Sequence, residues 1–277
     1  MTESEDKKWF FKYLFEQQDW NAIDPDVAHE LHHDDHHVHD KTKEEFHYFN
    51  FGGRLMDRLT VSVDLPYIIR ESLEIESHSR LGQTEESKGM GDLHVVGDYR
   101  FFQDDVQSAG FLAGVKFPTG ETDVANSVGE VFEMELQPGS GSYDYIIGGV
   151  YQKDFGRVKL LSNLAYVLKT EGDQDFRYGD LFSTAFFLDY VINPQSESLK
   201  TQIGINGNLQ YEQKHEDAGV ESPDSGGTTF FLGPLVSVEA VKKVSVFGSI
   251  LFPVHQDLGG VHQELDFNWT AGGRISF

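Results

Sequence analysis

Apolar and polar side chains alternate residue by residue over unusually long stretches of this chain. In the last segment Leu265, Phe267, Trp269, Ala271, Gly273, Ile275 and Phe277 share one face, and Asp266, Asn268, Thr270, Gly272, Arg274 and Ser276 share the other. A period of two is the signature of a β-strand with two unlike faces. About thirteen residues is long against the usual five or six. The same pattern recurs in Trp9, Phe11, Tyr13 and Phe15, in Val61 to Ile69, in Phe111 to Phe117 and in Leu199 to Tyr211. Twelve such segments lie near residues 8–18, 43–55, 59–75, 92–102, 109–118, 143–153, 158–170, 180–192, 199–213, 228–240, 244–255 and 264–277.

The connections alternate as well. Met56–Arg58, Gln103–Ser108, Asp154–Arg157, Asn193–Ser198 and Val241–Lys243 are short, whereas 19–42, 76–91, 119–142, 171–179, 214–227 and 256–263 are long. An even number of strands joined by alternating tight turns and long loops is the pattern of an outer-membrane barrel. The fold expected is all-β: residues 1–277 as a single 12-stranded antiparallel transmembrane β-barrel with short periplasmic turns and long extracellular loops. Closure satisfies every backbone amide where hydrocarbon offers no water. Trp9, Tyr13, Tyr67, Tyr145, Tyr151, Tyr166, Tyr211, Trp269 and Phe277 would supply the interfacial aromatic girdles. A water-soluble barrel would instead turn these rings inward, and twelve strands would then enclose more aromatic side chains than a small barrel needs. The expected location is the bacterial outer membrane. Met1–Lys8 has no signal-peptide character, so by that sign alone either the chain is cytosolic or the mature part starts behind an initiating Met.

The chain has 22 Lys and Arg against 46 Asp and Glu, a formal charge of −24, and no Cys. Absence of Cys excludes disulfides, thiolate metal sites and a cysteine nucleophile. The acidity argues against nucleic acid as a partner, since phosphates would be repelled. The six long connections hold 23 acidic and 5 basic residues, so −18 of the charge sits at one rim. Such a rim either bridges through divalent cations to lipopolysaccharide or acts as a funnel that enriches cations. Inward positions expected to line the lumen are Lys12, Glu16, Arg54, Asp64, Arg70, His94, Asp98, Arg100, Lys116, Asp144, Lys159, Asp189, Lys200, Asp266 and Arg274, with Lys169 and Glu239 beside them. In a narrow bore, facing charges either pair as supports or form opposed strips along a solute path.

The first long connection carries His29, His32, His33, His36, His37 and His39 interleaved with acids. Imidazole suits Zn, Cu and Ni, so this segment is either a pH-sensitive acidic loop or a weak metal-capture site. No other cofactor is expected. Catalysis at the rim would require a Ser–His or Asp–His grouping; His78–Ser79 lies in a loop, and no catalytic residue is assigned. The expected partners are membrane lipid, lipopolysaccharide, a small-molecule solute and, during biogenesis, the barrel assembly machinery, with the chain monomeric. Three functions follow: a passive small-solute channel, a barrel that displays a metal-binding loop, or a rim enzyme.

Four short stretches carry a family resemblance: Asp64-Leu-Pro-Tyr67, Gly89-Met-Gly-Asp-Leu93, Gly114-Val-Lys-Phe-Pro-Thr-Gly120 and Leu136-Gln-Pro-Gly-Ser-Gly-Ser-Tyr-Asp144. From about Phe46 to Phe277 the chain resembles the outer-membrane family named for the MetA pathway of phenol degradation. The resemblance implies a barrel that passes small aromatic or apolar solutes, and no catalytic residues. Read physically, these stretches are strand ends, where Pro66 and Pro118 need a bulge or rim position. The 119–142 connection is long enough to fold inward as a constriction, or to pack on the barrel mouth through Val124, Val128, Val131, Phe132, Met134 and Leu136.

Overall fold

The computed structural model describes residues 9–21, 39–74, 83–196, 198–240, 243–260 and 263–277. Sixteen strands follow one another: β1 Trp9–Trp20, β2 His39–Met56, β3 Leu59–Glu74, β4 Gln83–Met90, β5 Leu93–Gln103, β6 Gln107–Phe117, β7 Asp144–Asp154, β8 Val158–Leu168, β9 Phe176–Arg177, β10 Leu181–Val191, β11 Leu199–Glu212, β12 Glu216–Asp217, β13 Val220–Glu221, β14 Gly227–Ala240, β15 Val244–Leu258 and β16 Leu265–Ser276. β4 and β5 both pair antiparallel with β3 and form a single wall strand interrupted at Gly91 and Asp92. The wall therefore has twelve strands. It closes through β1, which pairs with β2 on one side and β16 on the other. Trp9 and Phe277 exchange backbone hydrogen bonds of 3.0 and 2.9 Å, so both ends of the described chain lie at the end with the short turns.

Alternation sorts the side chains as the sequence predicts. Phe111, Ile147 and Ile203 point outward and are 61%, 66% and 49% exposed, apolar area that only hydrocarbon covers without cost. The opposite face carries the ions.

Three strand expectations are corrected. The segment near 92–102 begins nine residues earlier, because β4 extends the wall where the sequence reads as the 76–91 loop. Its Thr84, Glu85, Glu86, Ser87 and Lys88 have no apolar face; backbone pairing with Ile69–Leu73 builds it, and Glu85 accepts from Ser127. In β16 the ladder slips between Asp19 and Trp20, so that Trp20 faces Leu265. Leu265 is consequently buried at 4% exposure rather than lipid-facing, and Asp266 is the exposed extra residue of a bulge instead of following the luminal alternation. Finally, β9, β12 and β13 form a small separate sheet within two of the long connections.

Candidate functional site

Strand register places seven of the predicted luminal residues (Lys200, Arg274, Lys12, Asp64, His94, Lys116 and Asp144) and Glu239 on a single path. Lys200 pairs with Glu239, Glu239 with Ser245, Ser245 with Arg274, Arg274 with Lys12, Lys12 with Asn50, Asn50 with Asp64, Asp64 with His94, His94 with Lys116, and Lys116 with Asp144. Ten neighbouring strands thus contribute one polar side chain each to the same cross-strand row. Strands tilt by roughly 35–45° in barrels, so a row perpendicular to them climbs the wall. It starts beside the short turn ahead of β11 and ends where β6 enters the 118–143 connection.

Apolar and small residues border this polar spiral. The row above it runs Phe247, Gly272, Leu14, Tyr48 and Pro66, and the row below runs Phe10, Gly52, Ser62, Val96, Gly114 and Ile146. The Phe10 and Phe247 rings lie against glycines: a Cβ at Gly52 would sit 2.5 Å from Phe10, and one at Gly272 2.6 Å from Phe247. Cations lie over the rings, with Arg274 4.1 Å above Phe10 and Lys12 5.6 Å above Phe247. The bore is therefore amphipathic. Sequence reading found the ions and missed these inward rings, which an alternation count treats as ordinary apolar residues.

On the β1–β2–β3 side lies a half-open recess of about 370 Å³ lined by Lys12, Leu14, Glu16, Tyr48, Asn50 and Asp64. Glu16 is engaged by two amides, Gln18 at 2.8 Å and Asn268 at 2.5 Å. Lower on the wall Lys159 pairs with Asp154 at 2.8 Å, beside Asp189 in register, and Arg100 pairs with Asp98 at 2.7 Å. Arg54 lies opposite Thr60 at the base of β2.

At the other end the four motif stretches meet. Asp92 accepts hydrogen bonds from the backbone amides of Gly120 (3.0 Å) and Ser140 (3.0 Å) and from the Ser140 hydroxyl (2.6 Å). Lys116, 6% exposed, lies 3.2 Å from Asp92 and 2.6 Å from the fully buried Asp144, and it also donates to Ser140 and Ser142. Lys169 adds a second cation 3.4 Å from Asp144. Gly120 and Gly139 touch backbone to backbone; a Cβ on Gly139 would come within 2.5 Å of the Gly120 carbonyl carbon. Only glycines permit that approach.

From this anchor the 118–143 connection reaches the inner wall. Arg70, inward-facing on β3, pairs with Glu44 at 2.5 Å and donates from Nη1 to the Gln137 carbonyl at 2.7 Å. Met134 and Gln137 are buried at 2% and 1% exposure, and the Gln137 amide ties Val124 and Phe132 together. Tyr178 donates to the Met134 carbonyl at 2.8 Å. His215 contacts Glu135 at 3.0 Å and Glu212 at 3.4 Å while stacking edgewise on Phe176 and Tyr178. Burial alone would lower the His215 pKa, but the Glu135 carboxylate that its ring engages and the adjacent Glu212 carboxylate outweigh it and raise it to about 9. Asp92, Gln137, Ser140, Ser142, Tyr178 and His215 escaped sequence reading. For Asp92, Gln137, Ser140 and Ser142 the available signal was their place in the Gly/Pro-rich stretches; Tyr178 and His215 had none.

Of the candidate metal ligands, His29, His32, His33, His36 and His37 lie outside the described residues, and His39 is described only in its backbone, at the start of β2. Among the described residues no group of three or more His, Asp or Glu has metal-holding geometry. His78 and Ser79 also lie outside the described residues.

Solved structures similar to this chain are bacterial barrels. An outer-membrane channel from Pseudomonas putida F1 aligns with a TM-score of 0.67 at 15% identity, covering 99% of this chain and 97% of that one. The β-domain of the Bordetella autotransporter Brka aligns with a TM-score of 0.60 at 11% identity, covering 98% and 100%. The NanC porin aligns at 0.51 and 7% identity, covering 96% and 99%. These likenesses establish the outer-membrane barrel fold. No curated protein sequence matches the chain. A family profile described as "Putative MetA-pathway of phenol degradation" matches residues 38–257, which include all four Gly/Pro-rich stretches and most of the wall, and the chain belongs to that family.

Proposed function

We propose that this protein is an outer-membrane channel through which small amphipathic solutes pass by diffusion, without cofactor or turnover chemistry. One observation carries the reading: a closed wall encloses a polar spiral bordered by apolar rows, running from one end of the barrel to the other. A wall of this kind wets the bore for water and ions while giving the apolar body of a solute a surface to follow. The 118–143 connection, held by Arg70, Tyr178 and His215, acts as the constriction at the outer mouth. The acidic rim favours cations and neutral solutes over anions.

A rim hydrolase would need serine and histidine side by side. The partnered histidines instead engage other groups: His47 bonds the Tyr13 hydroxyl at 2.7 Å on the lipid face, and His215 binds Glu135. The test of the channel reading is conductance in planar bilayers. Wild type should give small, cation-preferring steps, and Arg70→Ala, which frees the constriction from β3, should raise the step size severalfold. Conductance unchanged by Arg70→Ala would remove the constriction from the reading; absence of any conductance in both proteins would overturn the channel.

A further inference from the structure

We propose that the recess on the β1–β2–β3 wall is a binding station for zwitterionic solutes with an apolar body, of the chemical type of an aromatic α-amino acid. This deepens the channel reading by naming a solute class for the bore, and it rests on that reading only for how the solute arrives. Lys12 and Asp64 both line the recess, and both sit in the same cross-strand row with Asn50 between them. No direct ion pair joins them: the Lys12 ammonium lies over the Phe247 ring. Glu16, the other acid in the lining, accepts from the Gln18 and Asn268 amides, and Asp64 accepts from the Asn50 side chain. One cation, Lys12, thus shares a common space with two carboxylates, and Asp64 stands across one strand from it.

A bridging ligand that carries its own carboxylate and ammonium satisfies Lys12 and Asp64 together. The carboxylate goes to Lys12, with the Arg274 guanidinium next to it in register, and the ammonium goes to Asp64. Charge-assisted hydrogen bonds of this type are about twice as strong as neutral ones. Leu14 and Tyr48 form the apolar side of the recess, with Phe247 beside Lys12. A volume of about 370 Å³ is at the small end of the roughly 300–1,000 Å³ typical of small-molecule pockets. Net charge agrees as well: a zwitterion is neutral overall and crosses the acidic rim without the repulsion that an organic anion meets.

A solute with only one charge leaves the opposite wall group without a charged partner, which is the penalty that gives such sites their selectivity. Ligand-observed NMR titration of the full-length protein in detergent micelles tests this, using L-phenylalanine, 3-phenylpropionate and phenethylamine as probes. L-Phenylalanine should bind at least tenfold more tightly than either single-charge analogue. Lys12→Met should reduce phenylalanine to the level of phenethylamine, and Asp64→Asn to the level of phenylpropionate. The wild-type probe series decides the matter even where a variant fails to fold. An analogue binding as tightly as phenylalanine, or phenylalanine showing no saturable binding, overturns the station. Conductance recorded on the same preparation separates the two readings. An open channel without phenylalanine binding defeats the station alone, and binding without conductance supports the station and defeats the channel.

Discussion

Lys116 holds two carboxylates at once, 2.6 Å from Asp144 and 3.2 Å from Asp92, and each of those acids also accepts from the serines at the end of the long mouth loop. Removing one member of a buried ionic cluster leaves the others desolvated without compensation, at a cost of about 3–5 kcal/mol. Lys116→Met keeps the shape of the stem and deletes only the charge. It should lower stability to urea in lipid vesicles by that order, and a change within the ~1 kcal/mol of a surface pair would contradict the anchoring role. The neighbouring glycines make a separate steric prediction. Gly139→Ala places a methyl group 2.5 Å from backbone that has no rotamer to change. The loop should lift from the wall, at about 1–3 kcal/mol for overpacking, and proteolytic cleavage within 119–142 should become faster than in wild type.

Among the connecting elements, the mouth loop is held from two sides, by Arg70 on the wall and by His215 on the connection between β11 and β14. The second tether depends on pH. The His215 pKa is about 9 in the folded protein against 6.5 ordinarily, because Glu135 and Glu212 hold the proton in place against the effect of burial. A raised folded pKa means the contribution is complete below about pH 6.5 and is lost as pH rises through about 9. Raising pH from 7 to 10 should therefore loosen the loop and increase conductance, and His215→Gln should remove that pH response; an identical response in the variant would assign it elsewhere. Sequence legibility divides along the same line. Strands inside hydrocarbon could be read, since Phe111, Ile147 and Ile203 have lipid on one side and water on the other. β4 could not, because its covered face is polar: Ser87 is buried and Glu85 holds the Ser127 amide and hydroxyl of the mouth loop, so no apolar alternation is imposed. The tethers were also hidden: Tyr178 and His215 meet Met134 and Glu135 across more than forty residues of sequence, with no local period to announce it.

At the scale of the molecule, two sets of charges act on a permeating ion, and they respond differently to salt. The exposed acids of the 118–143 connection, Glu121, Asp123 and Glu130, face bulk solvent, where the screening length falls from about 10 Å at 0.1 M to about 3 Å at 1 M. The spiral of Lys200, Glu239, Arg274, Lys12, Asp64, His94, Lys116 and Asp144 lies inside the wall, where few mobile ions can enter to screen it. Its signs alternate over much of its length, so it contributes a path of local attractions more than a net preference for one ion. Cation selectivity should then originate at the rim and be sensitive to salt. Reversal potentials under a fixed KCl gradient should show clear cation preference when the mean concentration is near 0.1 M and should approach the unselective value near 1 M. Neutralising Glu121, Asp123 and Glu130 together should weaken the low-salt preference while leaving the high-salt value unchanged. A preference that survives at 1 M would move the origin of selectivity from the rim to the spiral, and Asp64→Asn would then become the variant expected to abolish it.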